Sequence, residues 1–270
     1  MIALLAKPFN RQTRNLLLEM IRTDFKLRYQ SSVLGYLWSL LKPLFLFSIL
    51  YAVFTKVLHI GAGIPGYPVY LLTGILLWTF FAEATNRSVS AIVSKGSLIR
   101  KISIPTYLVV FSTVCNSLIN LSLSFIVLII FLVFTAGTVT SFSMLPLLAL
   151  LMLQLFVFTT AVSFVLSAMY VKFRDISYIW EVIAQGLFYA SAIIYPLQIV
   201  PEVVQKILLL NPIAQILHDA RRILVLPDTV QIYDVLSGVF QLIPFLITLA
   251  LVVFAIFYFK QQSKEFAEHA

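Results

Sequence analysis

The sequence predicts an all-α membrane protein with six transmembrane helices, and three observations support this fold class. Hydrophobic residues make up 61% of the 270 positions and charged residues 11%, whereas soluble domains are about half apolar and a quarter charged. The mean hydropathy is +0.99. Six apolar runs are each long enough to cross a hydrocarbon core of about 30 Å as a helix, which takes roughly 20 residues.

The six runs follow one another with short connections, so we expect a single transmembrane domain over residues 1–270. The first run is too long for the apolar region of a signal peptide, and no small-residue cleavage site follows it. We therefore expect the N-terminus to be retained inside the cell. The predicted transmembrane helices cover residues 34–58, 67–92, 105–134, 142–171, 178–199 and 235–259.

The net charge of +8 is explained by membrane topology without any nucleic acid. With the N-terminus inside and six spans, fifteen of the nineteen Lys and Arg residues fall on or near the cytoplasmic side. This asymmetry is the positive-inside rule, and it predicts that both termini are cytoplasmic. The four basic residues expected outside are Lys56, Lys206, Arg221 and Arg222.

Residues 10–32 predict an amphipathic helix that lies in the headgroup plane before the first span. Leu18, Ile21 and Phe25 share one face, while the opposite face is charged. The alternative is a positive flank that only fixes topology. Ser31, Ser32 and Gly35 then predict the elbow at which the chain turns into the membrane.

Two cytoplasmic loops are short, and the first of them is unusual. Residues 94–105 interleave three basic side chains with four apolar ones, which fits either contact with lipid headgroups or a small helix docked in a groove of a partner protein. The second loop, residues 172–177, contains Arg174 and Asp175, which are expected to pair, to cap the next helix or to contact a partner.

Residues 200–226 predict two short amphipathic helices hinged at Asn211 and Pro212. Each piece has about ten residues and is too short to cross the bilayer. We interpret them as re-entrant or surface-lying helices on the extracellular side, because irregular backbone is tolerated at membrane depth only where protein or a water-filled cavity covers it.

The sequence carries no pattern for catalysis, metal binding or nucleotide binding. The phosphate-binding string GxxxxGK[ST] is absent, so a separate ATPase would have to supply ATP chemistry. The three histidines are scattered, so we predict no metal site and no cofactor in this chain. A multispan lipid-sugar glycosyltransferase is the enzyme alternative, with only weak support from four outside acids: Glu202, Asp219, Asp228 and Asp234.

Polar residues inside the predicted spans are interpreted mainly as structural. Glu83 and Arg87 are four residues apart and are expected to pair rather than to couple transport to ions, as is Glu181 near the interface. A polar stripe in the third span favours helix packing over a transport pathway: Thr113, Asn116, Asn120 and Ser124.

Aromatic residues in the first and fifth spans are candidates for holding sugars by stacking along a path. Membrane-interface belts explain Trp38, Trp180 and Tyr195 equally well. The candidate channel-lining residues are Trp38, Phe45, Tyr51, Phe188, Tyr189 and Tyr195.

Four segments together resemble the transmembrane subunit of ABC-2 type polysaccharide exporters, the permeases for O-antigen, capsule and teichoic acid. They are spread over nearly the whole chain: LRYQSSVLGYLWSLLKPL at 27–44, SLIRKISIP at 97–105, FRDI at 173–176, and YPLQIVPE with LNPIAQILHDARR between 195 and 222.

The resemblance implies a homodimer that pairs with two copies of an ATPase, which binds ATP and Mg, in the bacterial inner membrane. It implies a substrate glycan on an undecaprenyl-type carrier and a path between runs one and five of the two protomers. Arg28 and Lys42 are candidates for the carrier pyrophosphate. An ABC-2 permease for a drug or small lipid is the alternative. The implied ATPase-coupling residues lie in 95–103 and 173–175: Lys95, Leu98, Ile99, Arg100, Lys101, Phe173, Arg174 and Asp175.

Overall fold

The structure is a computed structural model, and it describes residues 11–30, 34–59, 66–102, 104–134, 144–225, 232–263 and 266. All regular elements in this part of the chain are helical. The helices are α1 (Arg11–Tyr29), α2 (Trp38–Tyr51), α3 (Tyr67–Val89), α4 (Ala91–Ser94), α5 (Gly96–Ile102), α6 (Thr106–Phe134), α7 (Leu145–Lys172), α8 (Ile176–Ala190), α9 (Glu202–Leu209), α10 (Pro212–Leu224), α11 (Ile232–Val235) and α12 (Ile243–Gln262).

Five stretches in the described ranges are long and apolar enough to cross a membrane. They are α2 with its π-helical continuation (Trp38–Val57), α3, α6, α7, and α12 with the 3-10 turn before it (Gly238–Gln262). They correspond to predicted runs one, two, three, four and six. A multi-pass membrane protein is therefore confirmed at the level of five apolar helices.

The predicted fifth span begins as α8 but is interrupted. Helix α8 has 15 residues, which at 1.5 Å per residue is about 22 Å and short of a full crossing. The chain leaves helical geometry after Ala190 and forms a buried irregular segment. The sixth crossing therefore stays a prediction.

Helix α3 forms the centre of the bundle. In its most apolar stretch of 18 residues, 78% of the residues are buried. In the corresponding stretch of α2 and its π-helical continuation, 11% are buried. Helices α6 and α7 pack against α3 over their length, while α2 and α8 cover its remaining sides. One side of α2 and one side of α8 are consequently left uncovered in the single chain.

The two ends of the bundle are built differently. At the end we call the α1 end, helix α1 packs on α6, and an apolar cluster joins it to α4, α5, α7 and α12. At the opposite end, the α10 end, helix α10 lies among α3, α7, α9 and α12. Twelve of the 13 residues of α10 are buried. By contrast α9 buries only Leu209.

The local sequence explains the starts of several helices. Gly35 has a φ of +47°, the left-handed conformation that favours glycine, and a 3-10 turn follows it before α2. The predicted elbow residues Ser31 and Ser32 lie outside the described residues. The side chain of Asn211 accepts a hydrogen bond from the backbone N–H of Ile213 at 3.1 Å, and Pro212 occupies the first turn of α10. The two short helices thus meet at the predicted hinge.

Candidate functional site

The loop between α3 and α6 carries the first group of predicted coupling residues. It folds into α4 and α5, and Ile99 of α5 is buried in the same apolar cluster as Leu17 of α1. Leu98 is half-buried, whereas Arg100 and Lys101 are exposed. Helix α5 thus has one apolar side turned into the bundle and a basic side turned outward.

Lys95, at the base of α5, is tied to α1. Its Nζ donates to Oδ2 of Asp24 at 2.5 Å, and the two side chains are 23% and 18% exposed. Because Asp24 lies on α1, this ion pair fastens the N-terminal helix to the beginning of α5. Ser103, the last residue of the predicted coupling segment, lies outside the described residues.

The turn between α7 and α8 carries the second group. Phe173, Arg174 and Asp175 are all exposed, and the guanidinium of Arg174 lies 5.1 Å from the ring centre of Tyr170. Asp175 occupies the N-cap position of α8, but its side chain makes no capping hydrogen bond. The capping alternative for Asp175 is therefore wrong.

The structure brings the two groups of predicted coupling residues to the same end of the bundle. Val171, just before the α7–α8 turn, is buried in the same apolar cluster as Ile99. The exposed residues of both groups form what we call the coupling surface: Arg100, Lys101, Phe173, Arg174 and Asp175.

Glu83 of α3 organises a polar centre just inside the coupling surface. Its Oε1 accepts from Nδ2 of Asn120 at 2.8 Å and from Oγ of Ser117 at 3.3 Å, and Nη1 of Arg87 lies 4.0 Å away. Arg28 of α1 donates to the same oxygen. The predicted pairing of Glu83 with Arg87 is confirmed. The bond from Arg28 was not foreseen, since 55 positions separate the two residues and no local pattern marks them.

The polar stripe of the third span packs inside the bundle, as predicted. Thr113, Asn116, Asn120 and Ser124 are all buried in α6. Asn120 contributes directly to the Glu83 centre, so at least this member of the stripe connects α6 to α3.

A pocket of about 340 Å³ opens between α1 and the corner formed by α3, α4 and α6. Its polar lining includes Asp24, Arg28, Arg87, Lys95 and Thr113. Three cationic side chains therefore line the same pocket, and their positive charge is partly balanced by Asp24 and by the neighbouring Glu83.

The pocket separates the two candidates for the carrier pyrophosphate. Arg28 lines it, whereas Lys42 lies on α2 and is not among its lining residues. Of the two candidates, Arg28 is therefore the one that lines this cationic pocket.

The predicted channel-lining aromatics fall into two groups. Trp38, Phe45 and Tyr189 are 45%, 55% and 54% exposed, and they lie on the uncovered sides of α2 and α8. The other three are partly buried against the core: Tyr51, Phe188 and Tyr195.

Tyr51, Phe188 and Tyr195 each have an internal contact. The Tyr51 ring stacks on Tyr67 at 6.5 Å between centres. Phe188 packs edge-on against Trp78 at 5.6 Å, and the Tyr195 hydroxyl donates to the carbonyl of Tyr189 at 2.9 Å. The ring contacts turn Tyr51 and Phe188 toward the interior of the chain, whereas the hydroxyl bond of Tyr195 lies at the exposed surface.

Two of the acids considered for glycosyl transfer form ion pairs with neighbouring cations. Glu202 pairs with Lys206 at 2.7 Å on α9, and Asp234 pairs with Arg222 at 2.9 Å. Asp228 lies outside the described residues. Each of these two carboxylates therefore has a cation of its own as partner.

Asp219 is buried in α10 and lies near enough to Asp234 for the two carboxyl groups to interact. Nε2 of Gln154 donates to Oε1 of Gln215 at 2.9 Å, and Nε2 of Gln215 donates to Oδ2 of Asp219 at 2.5 Å. Burial raises the pKa of Asp219 to about 6, against the lowering effect of the Gln215 hydrogen bond. Asp219 thus joins α10 to α7 through Gln215.

Comparison with known proteins agrees with this architecture. Residues 15–225 match the family model for the ABC-2 type transporter. The chain is 30% identical over 203 residues to an O-antigen export system permease protein RfbA of Klebsiella pneumoniae, covering 75% of this chain and 77% of that protein.

Two further relatives match over a similar length. An O-antigen export system permease protein RfbA of Myxococcus xanthus is 28% identical, with 76% of this chain and 78% of that protein covered. The polysialic acid transport protein KpsM of Escherichia coli is 26% identical, with 73% and 76% covered. The resemblance seen in the sequence is confirmed, and the chain belongs to the ABC-2 type transporter family.

Proposed function

We propose that this chain is the permease subunit of an ATP-driven exporter that moves a cell-surface polysaccharide, carried on an undecaprenyl-type lipid, across the bacterial inner membrane. The similarity to O-antigen export permeases over three quarters of the chain carries this proposal. The five apolar helices support a multi-pass transport subunit.

The coupling surface is the proposed docking site of the partner ATPase, two copies of which bind ATP and Mg. It offers the exposed cations Arg100 and Lys101 from α5 and, from the α7–α8 turn, the ring of Phe173, which is 60% exposed. Ile99 anchors α5 in the apolar cluster of the α1 end. A movement of the ATPase against this surface would therefore be transmitted to α1, α6 and α7 together.

Two copies of the chain are proposed to form the transport path between them. The uncovered sides of α2 and α8 expose apolar and aromatic residues, which a second copy would cover. Trp38, Phe45 and Tyr189 lie on these sides and are suited to stack on sugar rings.

The cationic pocket at the α1 end is proposed to receive the carrier pyrophosphate. Arg28 presents a guanidinium there, and a guanidinium matches phosphate oxygens in a bidentate manner. Lys42 would contact the carrier only outside this pocket.

The α1 end is proposed to face the cytoplasm, so that both termini lie on that side. Arg28, Arg87, Lys95, Arg100 and Lys101 all lie at this end. The positive-inside rule assigns such a concentration of cations near the ends of the spans to the cytoplasmic side.

Charge reversal on the coupling surface tests ATPase docking. The Arg100→Glu/Lys101→Glu variant is expected to lose at least about tenfold in ATPase co-purification and in surface polysaccharide, since like-charge contacts cost several kcal/mol at an interface. Lys56→Glu is the matched control, because Lys56 is an exposed cation at the opposite end. Unchanged assembly and export in the double variant would remove the coupling role.

Substrate class is tested with the purified permease–ATPase complex in lipid nanodiscs. ATPase activity should rise with a lipid-linked polysaccharide, whereas stimulation only by drugs or small lipids would favour that other class of ABC-2 permease. Transferase activity lost on neutralising Glu202, Asp219, Asp228 and Asp234 would favour an enzyme instead.

A further inference from the structure

The segment that follows α8 is irregular and yet buried. Ala192 and Ile193 are fully buried, Ile194 is 7% exposed, and Ala192 has a φ of +49°, which is uncommon for a residue other than glycine. Backbone carbonyls that leave a helix in an apolar surrounding need other donors.

Four consecutive carbonyls of this segment each accept a hydrogen bond from a side chain. Arg221 donates through Nη1 to the oxygen of Ala192 at 3.0 Å and through Nη2 to that of Ile193 at 2.6 Å. The hydroxyl of Tyr67 donates to the oxygen of Ile194 at 2.8 Å. The hydroxyl of Tyr70 donates to that of Tyr195 at 3.2 Å. We call residues 192–195 the unwound segment.

Arg221 makes the central contribution to this arrangement. It is fully buried, its Nε donates to the carbonyl of Tyr70 at 3.0 Å, and its Cζ lies 3.6 Å from the centre of the Tyr70 ring. The guanidinium thus joins three elements: α10, which carries it, the first turn of α3, and the unwound segment. Its charge faces carbonyl dipoles and a π-system.

Gly74 provides the space for the guanidinium on α3. A Cβ at this position would lie 2.2 Å from Nη2 and 3.1 Å from Cζ of Arg221, and 3.3 Å from Cγ2 of Ile193. Gly74 is one turn after Tyr70. Because it has no side chain, Arg221 can reach the Tyr70 carbonyl. Residues 74 and 221 are therefore fitted to each other.

We propose that Arg221 is a positioning residue: its planar fork holds the unwound segment, and with it the end of α8, in one fixed place against α3. A lysine would supply its three donors from one nitrogen, whereas Arg221 reaches its three carbonyls from three different nitrogens of a planar fork. The side of α8 held in this way is the proposed wall of the transport path, so the consequence for export rests on the proposed function. The positioning role itself does not.

Thiol protection of Ile193 measures the positioning directly. In a Cys115→Ser background, which removes the single native cysteine, Ile193→Cys places a thiol in the buried segment. With Arg221 present, the purified protein should react slowly with a membrane-impermeant maleimide. Arg221→Gln and Arg221→Lys should each react at least about tenfold faster, a change equivalent to about 1.4 kcal/mol in the opening equilibrium.

Arg222→Gln is the matched control, because Arg222 is the neighbouring arginine and pairs with Asp234 at the surface. It should leave the thiol protected. Protection unchanged in Arg221→Gln would overturn the proposal, and full protection in Arg221→Lys would show that charge alone suffices and would overturn the role of the fork. Labelling needs no substrate or ATPase, so a failure here is distinct from a failure of the proposed export function.

The fit between residues 74 and 221 supplies a second test that keeps Arg221 in place. Gly74→Ala should lower the thermal unfolding temperature clearly and expose the Ile193→Cys thiol, because the added methyl group displaces the guanidinium. In an Arg221→Gln background the same Gly74→Ala change should cost much less. Equal losses in the two backgrounds would show that Gly74 serves helix packing alone and would overturn the fit. If Arg221→Gln fails to accumulate, Gly74→Ala alone still tests the fit, because an Ile193→Cys thiol that stays protected in this variant would overturn it.

Discussion

The Glu83 centre and the contacts around Arg221, which we call the Arg221 centre, accommodate charge inside the bundle in opposite ways. Each holds a charged side chain within an apolar bundle. Glu83, whose side chain is 19% exposed, lies near the α1 end and is surrounded by the cations of Arg28 and Arg87. Arg221 is fully buried at the α10 end and is surrounded by backbone carbonyls and an aromatic ring.

This contrast shows where ion pairs are useful in such a bundle. Near water the desolvation of two opposite charges is modest, so an ion-pair network can form and can rearrange. Deep in the bundle, the carbonyls of an unwound segment have no helical partners and need other donors. An arginine, with five N–H groups, can satisfy them and does not need a buried carboxylate beside it. The α1 end is thus suited to movement and the α10 end to rigidity.

The largest effect on this contrast is expected from Glu83→Gln. It leaves the cations of Arg28 and Arg87 beside each other, so we expect a loss of about 2 kcal/mol in stability, less than for a fully buried pair. A thermal unfolding series in detergent measures it, with Glu19→Gln as control, since Glu19 forms an exposed pair with Arg22 on α1. A loss no larger than that of the control would mean that the Glu83 network is dispensable.

The second prediction concerns Asp219 at the α10 end, where removing the charge should raise stability rather than lower it. Burial raises the pKa of Asp219 to about 6 against the lowering effects of the Gln215 side chain, the Ile232 backbone and Arg222, while Asp234 raises it further. The folded state therefore holds a proton that the unfolded chain releases near its usual pKa of 3.8. Stability should fall as pH rises from about 4 to 6 and should then level off.

Asp219→Asn should remove this decline and should stabilise the protein at about pH 8, in contrast to the loss from Glu83→Gln at the same pH. Thermal unfolding between about pH 4 and pH 8 measures both variants. An Asp219→Asn variant that is less stable than the parent in the alkaline part of this range would show that the carboxylate is stabilised where it lies, and the contrast between the two ends would fail.

The smallest effect is expected at the ion pair between Asp24 and Lys95. Asp24→Asn should lower stability by about 1 kcal/mol, because both side chains are less than a quarter exposed but lie beside an open pocket. It should also speed trypsin cleavage within α1, at Arg22 and Lys26. The charge-swapped Asp24→Lys/Lys95→Asp variant should recover protection, and no recovery would mean that the pair does not hold α1 in place.

Local sequence patterns predicted most of the architecture. The apolar runs located five long helices, and the Asn211-Pro212 dipeptide located the boundary between α9 and α10. The half-apolar loop fitted either contact with lipid headgroups or a short helix, and the structure shows a short helix, α5. These features are readable because each depends on residues close together in the chain.

The coupling residues illustrate what a loop pattern could not separate. Lys95 and Lys101 look alike in the sequence of the loop, yet Lys95 is tied to Asp24 on α1, 71 positions away, while Lys101 is exposed. Ile99 and Leu98 also differ in burial although they are neighbours. Only the packing of α1 against the rest of the α1 end decides which side chains of the loop face outward.

The class of molecule follows from the amino-acid sequence alone, since composition, run length and charge asymmetry are sums over local properties. The end of the predicted fifth span, by contrast, depends on tertiary contacts. Residues 191–196 read as part of an apolar run, but the chain unwinds there because Arg221, Tyr67 and Tyr70 supply donors for its carbonyls. Hydropathy measures side chains, whereas the break depends on backbone hydrogen bonds from residues 28 to 127 positions away.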